Sequence, residues 1–84
     1  MQPIQELINR IHWDPEFSRG NFEIGFLDKL EHREIRMPIE NLHFEKGEHF
    51  FFYFLDSEGV EHQVPFHRIK SVYKNGELIW HREH

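Results

Sequence analysis

Eighty-four residues form one domain, 1–84, near the lower limit at which a single core is stable alone, and the absence of cysteine removes both a disulfide framework and a thiolate zinc site. The formal charge of −5 excludes a general nucleic-acid coat, which needs Lys and Arg along the phosphate backbone, but leaves room for one or two phosphates in a local pocket. Nine Phe, two Trp and two Tyr have to supply the core. No basic segment followed by an apolar run opens the chain, so a soluble cytoplasmic protein with no membrane association is expected.

The first element is a short amphipathic helix. Ile4, Leu7, Ile8 and Ile11 fall at i, i+3, i+4 and i+7, with Pro3 suited to the first helical position. Pro15 restricts Asp14 and ends the helix at or before Trp13, which lies off the apolar stripe. After a loop at 17–20, Phe22, Ile24 and Phe26 alternate with Glu23 and Gly25 as a half-buried strand. A turn at 28–33 leads to a second strand at 34–37, stopped by Pro38, and 39–42 suits one turn of 3₁₀ helix.

Residues 50–55 are apolar on both faces and predict the most buried strand, central in its sheet and covered on one side by the helix. Ser57-Glu58-Gly59 connects it to a strand at 60–64 that Pro65 stops. A last hairpin joins 69–74 to 77–81 through Asn75-Gly76, a dipeptide that favours positive φ at both turn positions. The phrase Met37-Pro38-Ile39-Glu40-Asn41-Leu42 is echoed by Val64-Pro65-Phe66-His67-Arg68-Ile69. The fold class is therefore α+β: an N-terminal helix and a bent antiparallel sheet of about six strands in three hairpins, with a partly closed barrel as one form of it.

His67-Arg68 is the first candidate site. Arg offers a planar fork to phosphate oxygens, and His can donate a hydrogen bond or move a proton. The plainer alternative is a solvated turn with Arg68 paired to an acid such as Glu40. Asn9-Arg10-Ile11-His12-Trp13-Asp14 is the second: a basic residue, an imidazole, an indole and a carboxylate at the helix exit, read either as a base-stacking platform or as a core Trp13 and a turn-forming Asp14. His43, Glu45, Glu48 and His49 could in principle hold zinc but lack a standard ligand spacing, so no metal and no cofactor are expected. The chain has no Thr, its three serines lie in no nucleophile motif, and its glycines form no phosphate loop.

The phrases at 7–14, 22–28, 65–69 and 76–80 occur in the same order and nearly the same spacing in a known family. The chain resembles the RNA cyclic-group end recognition domain, a group of small archaeal and bacterial proteins, from about Ile4 to Arg82. The resemblance implies binding of RNA 3′ ends, or nucleotides, that carry a 2′,3′-cyclic phosphate. Its matching polar positions are Arg10, Trp13 and Asp14 at the helix exit and His67 and Arg68 on the proline turn, and Arg19 and Arg82 are added as rim contacts. RNA-processing phosphoesterases or ligases are the implied protein partners, and a monomer is expected. Two other readings stay open: a cyclic phosphodiesterase using His67 and His12 as acid and base, and a protein-interaction module docking through its aromatic face.

Overall fold

The computed structural model describes residues 3–28, 32–48 and 50–82. Helix α1 (Ile4–Trp13) buries Leu7, Ile8 and Ile11, the expected stripe. Pro3 stands one position earlier than expected, at the N-cap with extended backbone, where a missing N–H still costs nothing. At the other end Asp14 is extended, as a residue before proline should be, and its N–H donates to the Arg10 carbonyl.

Seven strands follow: β1 (Phe22–Leu27), β2 (Glu34–Pro38), β3 (Leu42–His43), β4 (Phe51–Leu55), β5 (Glu61–Pro65), β6 (Ile69–Lys74) and β7 (Glu77–His81). The single bent sheet expected from the sequence is replaced by two antiparallel sheets, ordered β2-β1-β6-β7 and β3-β4-β5, and the described residues form no closed barrel. The physical reason is the two prolines. Neither Pro38 nor Pro65 can donate to a continuing ladder, so each strand ends there and a 3₁₀ turn hands the chain to the other sheet. The sheets meet through aromatic rings, with Phe26 of β1 at 5.4 Å from Phe52 and 5.5 Å from Phe54 of β4. No described helix is long and apolar enough to cross a membrane.

The echo in the sequence is a repeat in space. β1 pairs with β2, a 3₁₀ turn (Ile39–Asn41) crosses over, and β3 pairs with β4. Then β4 pairs with β5, a second 3₁₀ turn (Phe66–Arg68) crosses back, and β6 pairs with β1. Both turns start from a proline of nearly identical backbone, φ −58 and ψ 140 at Pro38, φ −65 and ψ 143 at Pro65. A second matching phrase strengthens the relation: Phe26-Leu27-Asp28 recurs as Phe54-Leu55-Asp56. Each aspartate opens its hairpin, with the Asp28 N–H donating to Arg33 O and the Asp56 N–H to Val60 O. A positive-φ residue closes each turn, His32 in one and Gly59 in the other. Among the described strands, β7 alone has no counterpart, and helix α1 stands outside the repeat as well.

Residues 50–55 are not the most buried strand. Phe52 is fully buried, but Phe50 is 71% and Leu55 64% exposed. β4 is central in its sheet, yet β3 beside it is two residues long and β5 carries Glu61, His62 and Gln63 in exposed positions. The outer face of this small sheet is therefore only partly covered. The most buried strands are β1 and β6, the inner pair of the larger sheet, where Ile24, Ile69 and Val72 are wholly enclosed. Each such side chain contributes about 1.5–3 kcal/mol relative to exposure. Asn75 (φ 52) and Gly76 (φ 83) make the type I′ turn that their dipeptide predicts.

Candidate functional site

The second crossover turn presents His67 and Arg68 between two anchors. Phe66 is buried at one end and Ile69 at the other, so the two polar residues between them are directed outwards, His67 exposed and Arg68 half-buried. The turn is tied down from several directions. The Ile69 N–H donates to Phe66 O, and the Phe66 N–H donates to Phe50 O at 2.8 Å. Arg82, from the end of β7, donates its Nε to Ile69 O at 2.9 Å and an Nη to Phe66 O at 3.3 Å, with its guanidinium 5.2 Å from the Trp80 ring. Arg82, expected from the sequence as a rim contact, is thus bound into the support of the turn.

His67 and Arg68 line a cleft of about 300 Å³ together with Leu27, Asp28, His32 and Lys70. β6 supplies Lys70, and the β1–β2 hairpin supplies Asp28 and His32. Among the described residues, Arg68, Lys70 and His67 have no ion-pair partner, so Arg68 is not neutralised by Glu40 as the plainer alternative requires. In a chain of charge −5 this is a local concentration of cationic and titratable donors, one fixed guanidinium, one ammonium and two imidazoles against one carboxylate. Such a set can neutralise and orient a phosphate. Sequence reasoning singles out neither Lys70 nor His32. Lys70 lies two residues beyond Arg68, a spacing that could have signalled it, whereas His32 is brought in only by the pairing of β1 with β6.

The helix exit divides into two faces. On one, the Asp14 carboxylate accepts from the N–H groups of Glu16 at 3.0 Å and Phe17 at 3.1 Å and lies 3.5 Å from Arg10. The Phe17 N–H above all, then Glu16 and the Arg10 guanidinium, hold its carboxyl below the usual 3.8. Arg10 lies 4.1 Å over the Phe17 ring. Asp14 is a turn-forming residue, and Arg10 is engaged locally. Arg19 is exposed in the following loop.

On the other face, Trp13 is 70% exposed, so the core reading of it fails. It lines a cleft of about 250 Å³ with Asn9 and His12 of the helix, Phe66, and the loop at 44–48. His12 Nδ1 lies 2.9 Å from the Ile8 carbonyl, which assigns the Nδ1–H to that bond and leaves Nε2 for the cleft. Its ring meets Phe44 edge-on at 5.1 Å. The loop that forms the far wall is marked in the sequence only as a metal candidate. His43 instead pairs with Glu45 at 2.9 Å, and no group of three ligating side chains converges among the described residues; His49 lies outside them.

The helix exit and the His-Arg pair therefore line different clefts. They share one wall, because Phe66 closes the aromatic cleft and the next two residues, His67 and Arg68, line the cationic one. The family model for the MJ1316 RNA cyclic group end recognition domain matches residues 1–82. UPF0248 protein MmarC7_1289 of Methanococcus maripaludis (strain C7 / ATCC BAA-1331) is 30% identical over 80 residues, which cover 92% of this chain and 95% of that protein. No solved structure matches the chain.

Proposed function

We propose that this chain, which belongs to the MJ1316 RNA cyclic group end recognition domain family, binds RNA 3′ ends by their terminal 2′,3′-cyclic phosphate and does not turn them over. The observation that carries the reading is the cationic cleft on the second crossover turn, where Arg68 and Lys70 stand without an anionic partner among the described residues of an acidic protein. A cyclic diester presents two non-bridging oxygens at a fixed position on the ribose. A planar guanidinium fork matches that arrangement, and an imidazole at His67 adds a donor. Trp13 offers an exposed indole on which the last base can stack.

The two-imidazole phosphodiesterase finds less support, since His12 and His67 line separate clefts. In the proposed role the protein acts as a cytoplasmic monomer beside the phosphoesterases or ligases that make or use such ends. One phosphate, one stack and a few hydrogen bonds give micromolar affinity. The test is one short RNA finished in three ways and titrated at two salt concentrations. We expect the cyclic-phosphate end to bind at least roughly tenfold tighter than the hydroxyl end, with a shallow salt dependence because few phosphates are neutralised. Equal affinity for phosphate and hydroxyl ends would contradict the reading.

A further inference from the structure

Alternation along β1 turns one face of the larger sheet away from the core. Phe22, Ile24 and Phe26 are buried, so Glu23, Gly25 and Leu27 stand on the outer face. In register with them are Arg36 of β2, opposite Gly25, and Tyr73 of β6, opposite Glu23. Arg36 leans across β1 to reach Glu23 and Tyr73 together. Its Nε donates to the Glu23 carboxylate at 3.0 Å and its Nη2 lies 2.9 Å from the same oxygen, while the guanidinium carbon sits 3.5 Å from the centre of the Tyr73 ring. At that separation only a guanidinium parallel to the ring avoids a clash. Arg36 is therefore stacked flat on Tyr73 and clamped at its edge by Glu23. Its side chain is still 42% exposed, and among the described residues Glu23 and Tyr73 are its partners, so its second plane faces solvent.

This face runs into the cationic cleft. Leu27, at the end of β1, lines that cleft, and so does Lys70, the extra residue where the register of β1 and β6 shifts. Lys70 stands three residues before Tyr73 on β6, about 10 Å along a strand, which one or two extended nucleotides cover. The acids on the way are engaged, Glu23 with Arg36 and Glu34 as acceptor of the Ser71 hydroxyl at 3.0 Å. The open face of the smaller sheet suits a phosphate chain less. There Tyr53 lies among carboxylates, and burial first, then Glu48, Glu45 and Glu61, raise its phenol above the usual 10.0.

We infer that RNA leaving the cationic cleft in the 5′ direction runs along β6 over the outer face of the larger sheet, and that a base upstream of the terminal nucleotide stacks on the free plane of Arg36. Guanidinium planes serve as stacking surfaces for unpaired bases, and such stacking is tolerant of sequence because every base has a π-face. This rests on the end-binding reading above and adds a contact that a single nucleotide is too short to make.

The test uses the full chain and RNAs of one, two, three and four nucleotides, each ending in 2′,3′-cyclic phosphate, titrated by calorimetry. Affinity should rise roughly tenfold between the shortest and the longest. A four-nucleotide RNA that is abasic at every position but the last should lose that gain. Arg36→Gln should lose it as well, and so should Arg36→Lys, which keeps the charge but not the plane. In both variants the one-nucleotide ligand should bind as before, which shows the fold and the cationic cleft intact. Affinity independent of length, or a gain that survives Arg36→Gln, would overturn the path over the sheet and leave end binding standing. Affinity blind to the terminal phosphate at every length would overturn both.

Discussion

The two crossover turns are the same piece of structure carrying opposite chemistry. Glu40 and Asn41 of the first occupy the places of His67 and Arg68 in the second, and His43 takes the place of Lys70. Each turn borders a cleft whose other wall is the end of the strand paired with it. The first is lined by Glu40, Asn41, His43 and Glu61 among others, the second by His67, Arg68, Lys70 and His32. Backbone geometry alone therefore does not gather cationic side chains, because both turns have it. What differs is the charge on two adjacent positions and the support behind them. β7, the strand with no counterpart, delivers Arg82 to two carbonyls of the second turn, and no described side chain does so for the first. The repeat supplies the scaffold, and the extra strand stiffens the copy that holds the cations.

The two turns differ most in stability at their anchors. Phe66 is buried against the rings of Phe44 and Phe52, whereas Ile39 in the equivalent place is only half-buried. Phe66→Ala should cost about 3–5 kcal/mol in urea unfolding and Ile39→Ala about 1–2 kcal/mol. Equal costs would mean the second turn is no better anchored than the first. Next comes the ligand. Arg68→Ala should weaken binding of a cyclic-phosphate RNA by about 2–3 kcal/mol with stability nearly unchanged, and Arg68→Lys should recover only part, since the fork is lost. Asn41→Ala should leave binding as it was.

Smaller effects are expected from the side chain that supports the second turn. Arg82→Ala removes donors from the carbonyls of Phe66 and Ile69 and should cost about 1–2 kcal/mol of stability. It should also lower end affinity, although Arg82 need not touch the ligand. Converting the first turn, with Glu40→His and Asn41→Arg together, should raise the stoichiometry for a phosphate-ended oligonucleotide from one towards two, the new site being the weaker. If calorimetry shows no second site, residue identity is insufficient and the bracing by β7 decides.

The gentlest probe is acid. Asp56 opens the second hairpin, and its bond to His62 above all, then the Val60 and Glu58 N–H groups, hold its carboxyl below the usual 3.8. A group with a depressed folded pKa stabilises above its unfolded value and loses that contribution as pH falls through the folded one. Asp56→Asn should therefore flatten the decline of stability below about pH 4, near the unfolded carboxylate value, and change little in its shape at pH 6. An unchanged acid limb would remove Asp56 from the hairpin's support.

Much of this comparison is legible in the amino-acid sequence. The two prolines mark both crossovers, the periodicity of Leu7, Ile8 and Ile11 identifies the buried helical stripe, and Asn75-Gly76 names its own turn. The burial of residues 50–55 is not legible there. An apolar run reports what a strand could bury, while cover depends on neighbours such as β3 and β5 that are distant or short. The split into two sheets escapes the sequence for a related reason, since a proline says where a ladder stops and not where the chain goes next. Within the site, His67 and Arg68 stand side by side in the chain and declare themselves together. His32 joins them across a sheet, and Lys46 and Glu48 line one cleft with the helix exit beside the contact of Phe44 with His12. The repeat is half visible: the proline phrases stand out, whereas Phe26-Leu27-Asp28 against Phe54-Leu55-Asp56 gains its meaning from the matching hairpins.

In the proposed function, one of two matching turns holds the terminal phosphate. The direct measurement is a titration of the ¹⁵N-labelled protein with a short RNA ending in 2′,3′-cyclic phosphate, observed by amide chemical shift. The amides of Phe66, His67, Arg68, Ile69 and Lys70 should move in proportion to bound RNA, while those of Ile39, Glu40, Asn41, Leu42 and His43 stay in place. Shifts confined to the first turn, or equal at both, would contradict the account.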